Sequence, residues 1–199
     1  MTRRVAVAVL VPVRWAPPGV ELGKWRAALA EDVVDLLRGL AEVEAGIACV
    51  EEDLGLAEAI SWPGMPVYRV GRLSAGEIFA AAGADGFAQV ALVAGDAPNL
   101  PGLTVGKLLR PLTTRPLATA RADGDGGGLV GVAARVPVPL WLPDFDLDEG
   151  DPAVLRKAAE RPEHVGSAPE WRRLRTPDDL HALDPAVEGW DVTRALLGG

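Results

Sequence analysis

The chain has 199 residues, 49% of them apolar, with 20 Lys and Arg against 28 Asp and Glu and a net charge of −8. Such a composition is globular, and the length suits a single domain with a full core. The acidic balance, with no long basic stripe, excludes a general nucleic-acid binder, and no apolar run reaches the ~18 residues of a membrane helix.

Met1-Thr2-Arg3-Arg4 followed by Val5 to Val13 has the outline of a signal peptide. The run alternates Val with Ala, however, and meets Pro12 and Arg14 without a small-residue cleavage site, which predicts a first strand instead. Leu22 to Leu40 carries Leu29, Val33, Leu36, Leu37 and Leu40 at helical spacing and predicts an amphipathic helix. Val43 to Val50 predicts a second strand, Glu52 to Ile60 a short helix and Pro66 to Val70 a short strand. Cys49, the single cysteine, excludes an intramolecular disulfide, fits a reducing cytoplasm and reads as a buried structural thiol.

Ser74-Ala75-Gly76-Glu77 has capping-box spacing and opens a helix to about Ala82. Gln89 to Ala94 predicts a fully buried central strand, Leu103 to Leu109 a helix, and Leu117 to Arg121 and Leu129 to Arg135 two further strands. The βαβα order implies a mostly parallel sheet with helices on both faces. From about residue 137 the chain is richer in loops and helices. Pro137 to Asp151 reads as a loop or lid, Asp151-Pro152 caps a helix to about Glu160, and Arg161 to Pro169 is irregular. Thr176-Pro177-Asp178-Asp179 starts another helix, and Asp184-Pro185 is positioned to cap a last one. With no internal repeat and no low-complexity linker, residues 1–199 read as one domain.

The central strand ends at Gly95-Asp96-Ala97-Pro98-Asn99-Leu100. A parallel strand delivers the residues past its carboxyl end into the crevice where α/β sheets bind ligands, so Asp96 is a candidate metal ligand or ribose contact. An acid capping the turn before Pro98 is the plainer alternative. The loop after the first strand, Arg14 to Arg26, brings Gly19 and the cations Arg14, Lys24 and Arg26 near a helix N-terminus, where anions are favoured. A solvated loop whose cations pair with surface acids fits the same residues. Trp15 and Trp25 flank it, as core residues or as a stacking surface for a base. In Asp123-Gly124-Asp125-Gly126-Gly127-Gly128, three consecutive glycines allow close backbone approach to a ligand, or form a tight turn. His164 and His181 lack a catalytic partner, and no Walker A loop, Cys/His cluster or nucleophile elbow is present.

Gly95-Asp96-Ala97-Pro98-Asn99-Leu100 resembles the GDxPxL motif of the GT-A-like nucleotidyltransferase superfamily, and the chain is similar to its bacterial DUF2064 branch, related to the phospholactate and molybdenum-cofactor guanylyltransferases. That resemblance implies a metal-binding role for Asp96, with Mg2+ or Mn2+ contacting nucleotide phosphates. Pro18-Gly19 and Lys24-Trp25-Arg26 resemble, with longer spacing and Trp25 in place of Thr, the group's PGxxKTRL-like segment. Arg14, Gly19, Lys24 and Arg26 are accordingly the candidate nucleotide contacts. Asp125, Gly126 and Gly127 resemble the start of its DGG(Y) segment near the acceptor, with Gly128 where Tyr is expected. Thr176-Pro177-Asp178-Asp179-Leu180 resembles the closing TPxDL signature. The acid that precedes it in many relatives, a second metal ligand, is Arg175 here. An Arg at that place can take the metal's position by pairing with Asp96.

The expected fold is a three-layer α/β/α domain with a mixed, mostly parallel sheet of about seven strands, like the GT-A and nucleotide-diphospho-sugar transferases. Two functions follow. One is a cytoplasmic nucleotidyltransferase or glycosyltransferase that binds a nucleoside triphosphate or nucleotide sugar with a divalent metal, and a small-molecule acceptor. The other is a catalytically degenerate nucleotide- or sugar-binding or regulatory protein of the same fold, which Arg175 and the imperfect first loop favour.

Overall fold

The first strand, β1 (Arg4–Val9), buries side chains on both of its faces, as its run of Val and Ala predicts. In the computed structural model, which describes residues 3–124, 126–184 and 186–198, it lies between β2 (Glu44–Cys49) and β4 (Gln89–Ala94). It is parallel to both. β3 (Val67–Arg69) extends the sheet beyond β2, also in parallel. On the other side β6 (Leu129–Arg135) joins β4 antiparallel and β5 (Leu117–Asp123) joins β6 antiparallel. β7 (Val165–Ser167) and β8 (Trp171–Arg172) both pair with β5 in parallel. The strand order is therefore β3-β2-β1-β4-β6-β5-β7, with β8 as a further short strand on β5.

Helices cover both faces. α1 (Leu22–Arg38), α2 (Leu54–Ile60) and α4 (Gly102–Leu109) bury Val33, Val34, Leu37, Ile60, Val105 and Leu108 against one face, over Ala6, Ala8 and Val93. α3 (Ala75–Ala84) and α5 (Pro152–Ala158) close the other with Ile78, Phe79 and Leu155, over Val5, Val7 and Leu92. Each such fully buried aliphatic or Phe side chain contributes about 1.5–3 kcal/mol. A third cluster, of Trp25, Leu29 and Leu174, sits beside the sheet with Leu196 of α6 (Asp191–Leu196) packed on it. Asp32, on the buried side of α1, accepts the backbone N–H groups of Val192 and Thr193 at 3.0 and 2.8 Å, and so caps the first turn of α6.

Three details differ from the sequence expectations. Arg161 to Pro169, expected to be irregular, contains β7. That strand is only three residues long and includes Gly166, so it carries no readable alternation. Thr176-Pro177 opens a 3-10 turn over Pro177–Ala182, with a full capping box between Thr176 and Asp179. The last helix begins at Asp191, not after Asp184, whose carboxylate caps a local turn at Ala186 N; Pro185 lies outside the described residues. The remaining elements agree to within a few residues: Ser74 caps α3, Asp151 caps α5, and Pro137 to Asp151 is a loop. Among the described residues, no helix is long and apolar enough to cross a membrane.

The chain leaves β1 outward to β2 and β3, then returns to place β4 on β1's other side. That reversal between β1 and β4 opens a crevice at their carboxyl ends, the place where such sheets bind ligands.

Candidate functional site

Two residues past β4, Asp96 sits at the floor of this crevice, 1% exposed. Gly95 allows the placement: its N–H bonds Val9 O at 2.9 Å, and a Cβ there would lie 2.8 Å from the same oxygen. Both Asp96 carboxylate oxygens are engaged by one side chain. Arg173 donates from Nε to Oδ1 at 2.6 Å and from a terminal nitrogen to Oδ2 at 2.9 Å. Its other terminal nitrogen reaches Asp148 Oδ1 at 2.6 Å and Leu129 O at 3.3 Å. Arg173 is fully buried. Burial works against its charge, but the carboxylates of Asp96 and Asp148 more than compensate, and its pKa lies above the usual arginine value.

The sequence pointed to Arg175 as the arginine that pairs with Asp96. The structure gives that role to Arg173. Leu174 anchors the segment, with its side chain in the Trp25 cluster and its N–H on Asp96 O at 2.7 Å. Arg175 instead donates to the carbonyls of Gly126 and Gly127 at 3.3 and 2.8 Å, which pins the glycine loop over the crevice. Burial, with the neighbouring positive charge of Arg173, lowers its pKa. The period-2 geometry of an extended segment was the readable signal: with Leu174 turned to the core, Arg173 and Arg175 share the opposite side. Gly128 has φ +79°, and a Cβ there would meet Leu147 O at 2.6 Å and Asp148 O at 2.7 Å. The aromatic expected at this position has no room.

A cavity of about 310 Å³ lies over the pair, lined by Pro12, Val13, Arg14, Asp96, Gly126, Asp148, Leu174 and Arg175. Of the sequence-derived candidates it gathers Arg14, Asp96 and Gly126. Gly127 is drawn in only through its carbonyl bond to Arg175, and Asp125 lies outside the described residues. Gly19 (φ +83°), on the first loop, and Lys24, in the first turn of α1, are exposed and outside this lining. Arg26 does not reach the cavity. Its guanidinium forms a bidentate pair with Asp53, at 2.5 and 2.6 Å, and bonds Leu10 O and Val11 O. The α1 N-terminus carries its own anion, because the Glu21 carboxylate accepts Gly23 N at 2.8 Å. Trp25 is buried in the core with Trp15 edge-on at 6.1 Å, so it offers no stacking surface. Arg14 has no hydrogen bond or ion pair among the described residues and lines this cavity and an adjoining one of about 470 Å³. The adjoining cavity is bounded by Val50, Asp53, Gly71 to Ser74 and the loop Asp144 to Glu149. There Arg72 is paired with Asp144 at 2.7 Å, while Asp146 and Glu149 add negative charge.

These residues do not fit a divalent metal on Asp96. Both of its oxygens are engaged by a buried cation, and no group of three or more His, Cys, Asp or Glu side chains is placed to hold a metal among the described residues. Two carboxylates from separate segments, Asp96 and Asp148, converge on the guanidinium as they would on an ion.

No protein-family model matches the chain, nor does any curated protein; the DUF2064 resemblance rests on its motifs alone. Solved structures do match. A protein of Desulfovibrio desulfuricans G20 assigned to the nucleotide-diphospho-sugar transferases aligns over 100% of this chain and 98% of its own, with 21% identity and a TM-score of 0.66. A CMP:2-keto-3-deoxy-manno-octonic acid synthetase, solved with CTP, aligns over 100% and 99% with 12% identity and a TM-score of 0.61. Glucosyl-3-phosphoglycerate synthase of Mycobacterium tuberculosis, solved with Mn2+, UDP-glucose and phosphoglyceric acid, aligns over 98% and 77% with 16% identity and a TM-score of 0.56. The chain has the fold of the nucleotide-diphospho-sugar transferases, a mixed, mostly parallel α/β sheet.

Proposed function

We propose that this chain is a cytoplasmic nucleotide-sugar-binding member of the transferase fold that holds its ligand without a divalent metal. The observation that carries this reading is the bidentate Asp96–Arg173 pair, which puts a fixed, buried positive charge where an ion would sit. Arg14, without an ion pair among the described residues and lining both cavities, is the contact for the ligand's phosphates, and Gly126 brings the glycine loop against it. Asp125, Gly126 and Gly127 are assigned to the acceptor by the motif they resemble. Lys24, exposed in the first turn of α1, adds only a weaker, solvent-screened attraction.

Charge selects the ligand class. The larger cavity is bordered by Asp53, Asp144, Asp146, Asp148 and Glu149, against Arg14 and Arg72. A triphosphate without a screening metal is repelled by this border, whereas a nucleotide sugar carries fewer charges and offers hydroxyls to the carboxylates. Transfer chemistry through a metal on Asp96 is not part of this reading.

A thermal-shift panel of nucleotide sugars and nucleoside triphosphates, each with Mn2+ and with a chelator, tests it. A nucleotide sugar should raise the melting temperature equally in both conditions, and Arg14→Gln should remove most of the shift. A shift seen only with Mn2+, or no shift with any nucleotide sugar, would overturn it.

A further inference from the structure

Two strands beyond β4 in the sheet, a further cavity of about 470 Å³ opens between β5 and α5. It shares no lining residue with the two crevice cavities. It exists because the chain leaves β5 briefly. Ala168 N still bonds Thr119 O at 2.8 Å, but Pro169 and Glu170 arch away before Trp171 rejoins the sheet opposite Ala122. Thr119 and Arg121 of β5, on either side of a register shift against β6, both line the space beneath. Arg156 reaches across from α5 and donates to Ser167 Oγ at 2.6 Å. Pro152 and Ala153 form the opposite wall.

Several arginines of this acidic chain are matched by a carboxylate: Arg26 by Asp53, Arg72 by Asp144, Arg172 by Asp123 and Arg173 by Asp96. Arg121 and Arg156 are not: among the described residues no carboxylate lies within ion-pair distance of either, although Glu170 borders the same cavity. Two guanidiniums, the hydroxyl of Ser167 and a space larger than an inorganic ion form a pocket for an oxyanion attached to a small organic body. We propose that this cavity binds a small phosphomonoester, its phosphate held by Arg121, Arg156 and Ser167, and a hydroxyl of its body accepted by Glu170.

Titration calorimetry with glycerol 3-phosphate, inorganic phosphate and glycerol tests the proposal. One glycerol 3-phosphate should bind per chain, more tightly than inorganic phosphate, and glycerol should give no heat. Arg121→Gln with Arg156→Gln should weaken binding at least about tenfold through the lost charge-assisted bonds. Arg14→Gln, in the crevice, should leave it unchanged, which separates this site from the nucleotide-sugar reading. Glu170→Gln should weaken glycerol 3-phosphate while strengthening inorganic phosphate. The proposal is overturned by an absence of saturable binding, by equal binding in the double variant, or by loss of binding in Arg14→Gln alone.

Discussion

Arg173 and Asp96 face each other as a closed fork, two parallel hydrogen bonds of 2.6 and 2.9 Å between buried side chains. A third bond to Asp148 ties the loop after β6 to the same guanidinium. The crevice of the fold is kept, and its floor is neutralised by the chain itself.

Breaking this fork on one side leaves a buried charge without its partner. Arg173→Met should cost about 3–5 kcal/mol of stability, while Asp96→Leu combined with Arg173→Met should recover most of that loss. Urea unfolding of the two single variants and the double variant measures the coupling. Additive losses would mean that the pair does not act as a unit.

Removing the guanidinium without filling its place also frees two carboxylates that converged on it. Arg173→Ala should bind Mn2+ through Asp96 and Asp148 and should recover stability when the ion is added. The same ion should leave the parent protein's melting temperature unchanged. An equal Mn2+ response in both proteins would contradict the account.

The glycine loop is built for its bare backbone. Gly128→Ala should cost about 1–2 kcal/mol for the left-handed conformation alone. More is expected from a Cβ within 2.7 Å of two carbonyl oxygens. Unchanged thermal stability would show that the loop can move away from Leu147 and Asp148.

Asp32 supplies a pH dependence. Burial raises its pKa from 3.8, against the lowering effect of the Val192 and Thr193 N–H groups. Because the folded form holds its proton more tightly than the unfolded form, its contribution is fully present below pH 3.8. That contribution is lost as pH rises through the folded pKa. Asp32→Asn, which keeps an oxygen for one N–H, should therefore gain stability relative to the parent as pH rises through that window. The slope of the difference cannot exceed about 1.4 kcal/mol per pH unit. Urea midpoints across the window measure it; parallel curves would rule out this titration.

The layered architecture was legible because its signals are long. β1 and β4 are unbroken apolar runs, and α1 repeats its Leu and Val over several turns. β7 and β8, three and two residues long, are held by β5 and carry no period of their own. Asp96 was found at its strand end, but its partner was placed two residues late. The motif puts the arginine next to Thr176 in that place, whereas the extended backbone brings Arg173 to the carboxylate and leaves Arg175 on the glycine loop. The place of Lys24 and Arg26 near a helix N-terminus predicts phosphate contacts. Sequence could not show that Glu21 caps that terminus or that Asp53, far along the chain, claims Arg26.

The most direct test of the central claim is the free-ion signal of Mn2+ by electron paramagnetic resonance, titrated with the unaltered protein in the presence and absence of a nucleotide sugar. The account predicts that the protein leaves the free signal undiminished beyond what the nucleotide alone removes. A protein-dependent loss of signal that Asp96→Asn abolishes would show that Asp96 holds a metal and that Arg173 does not replace it.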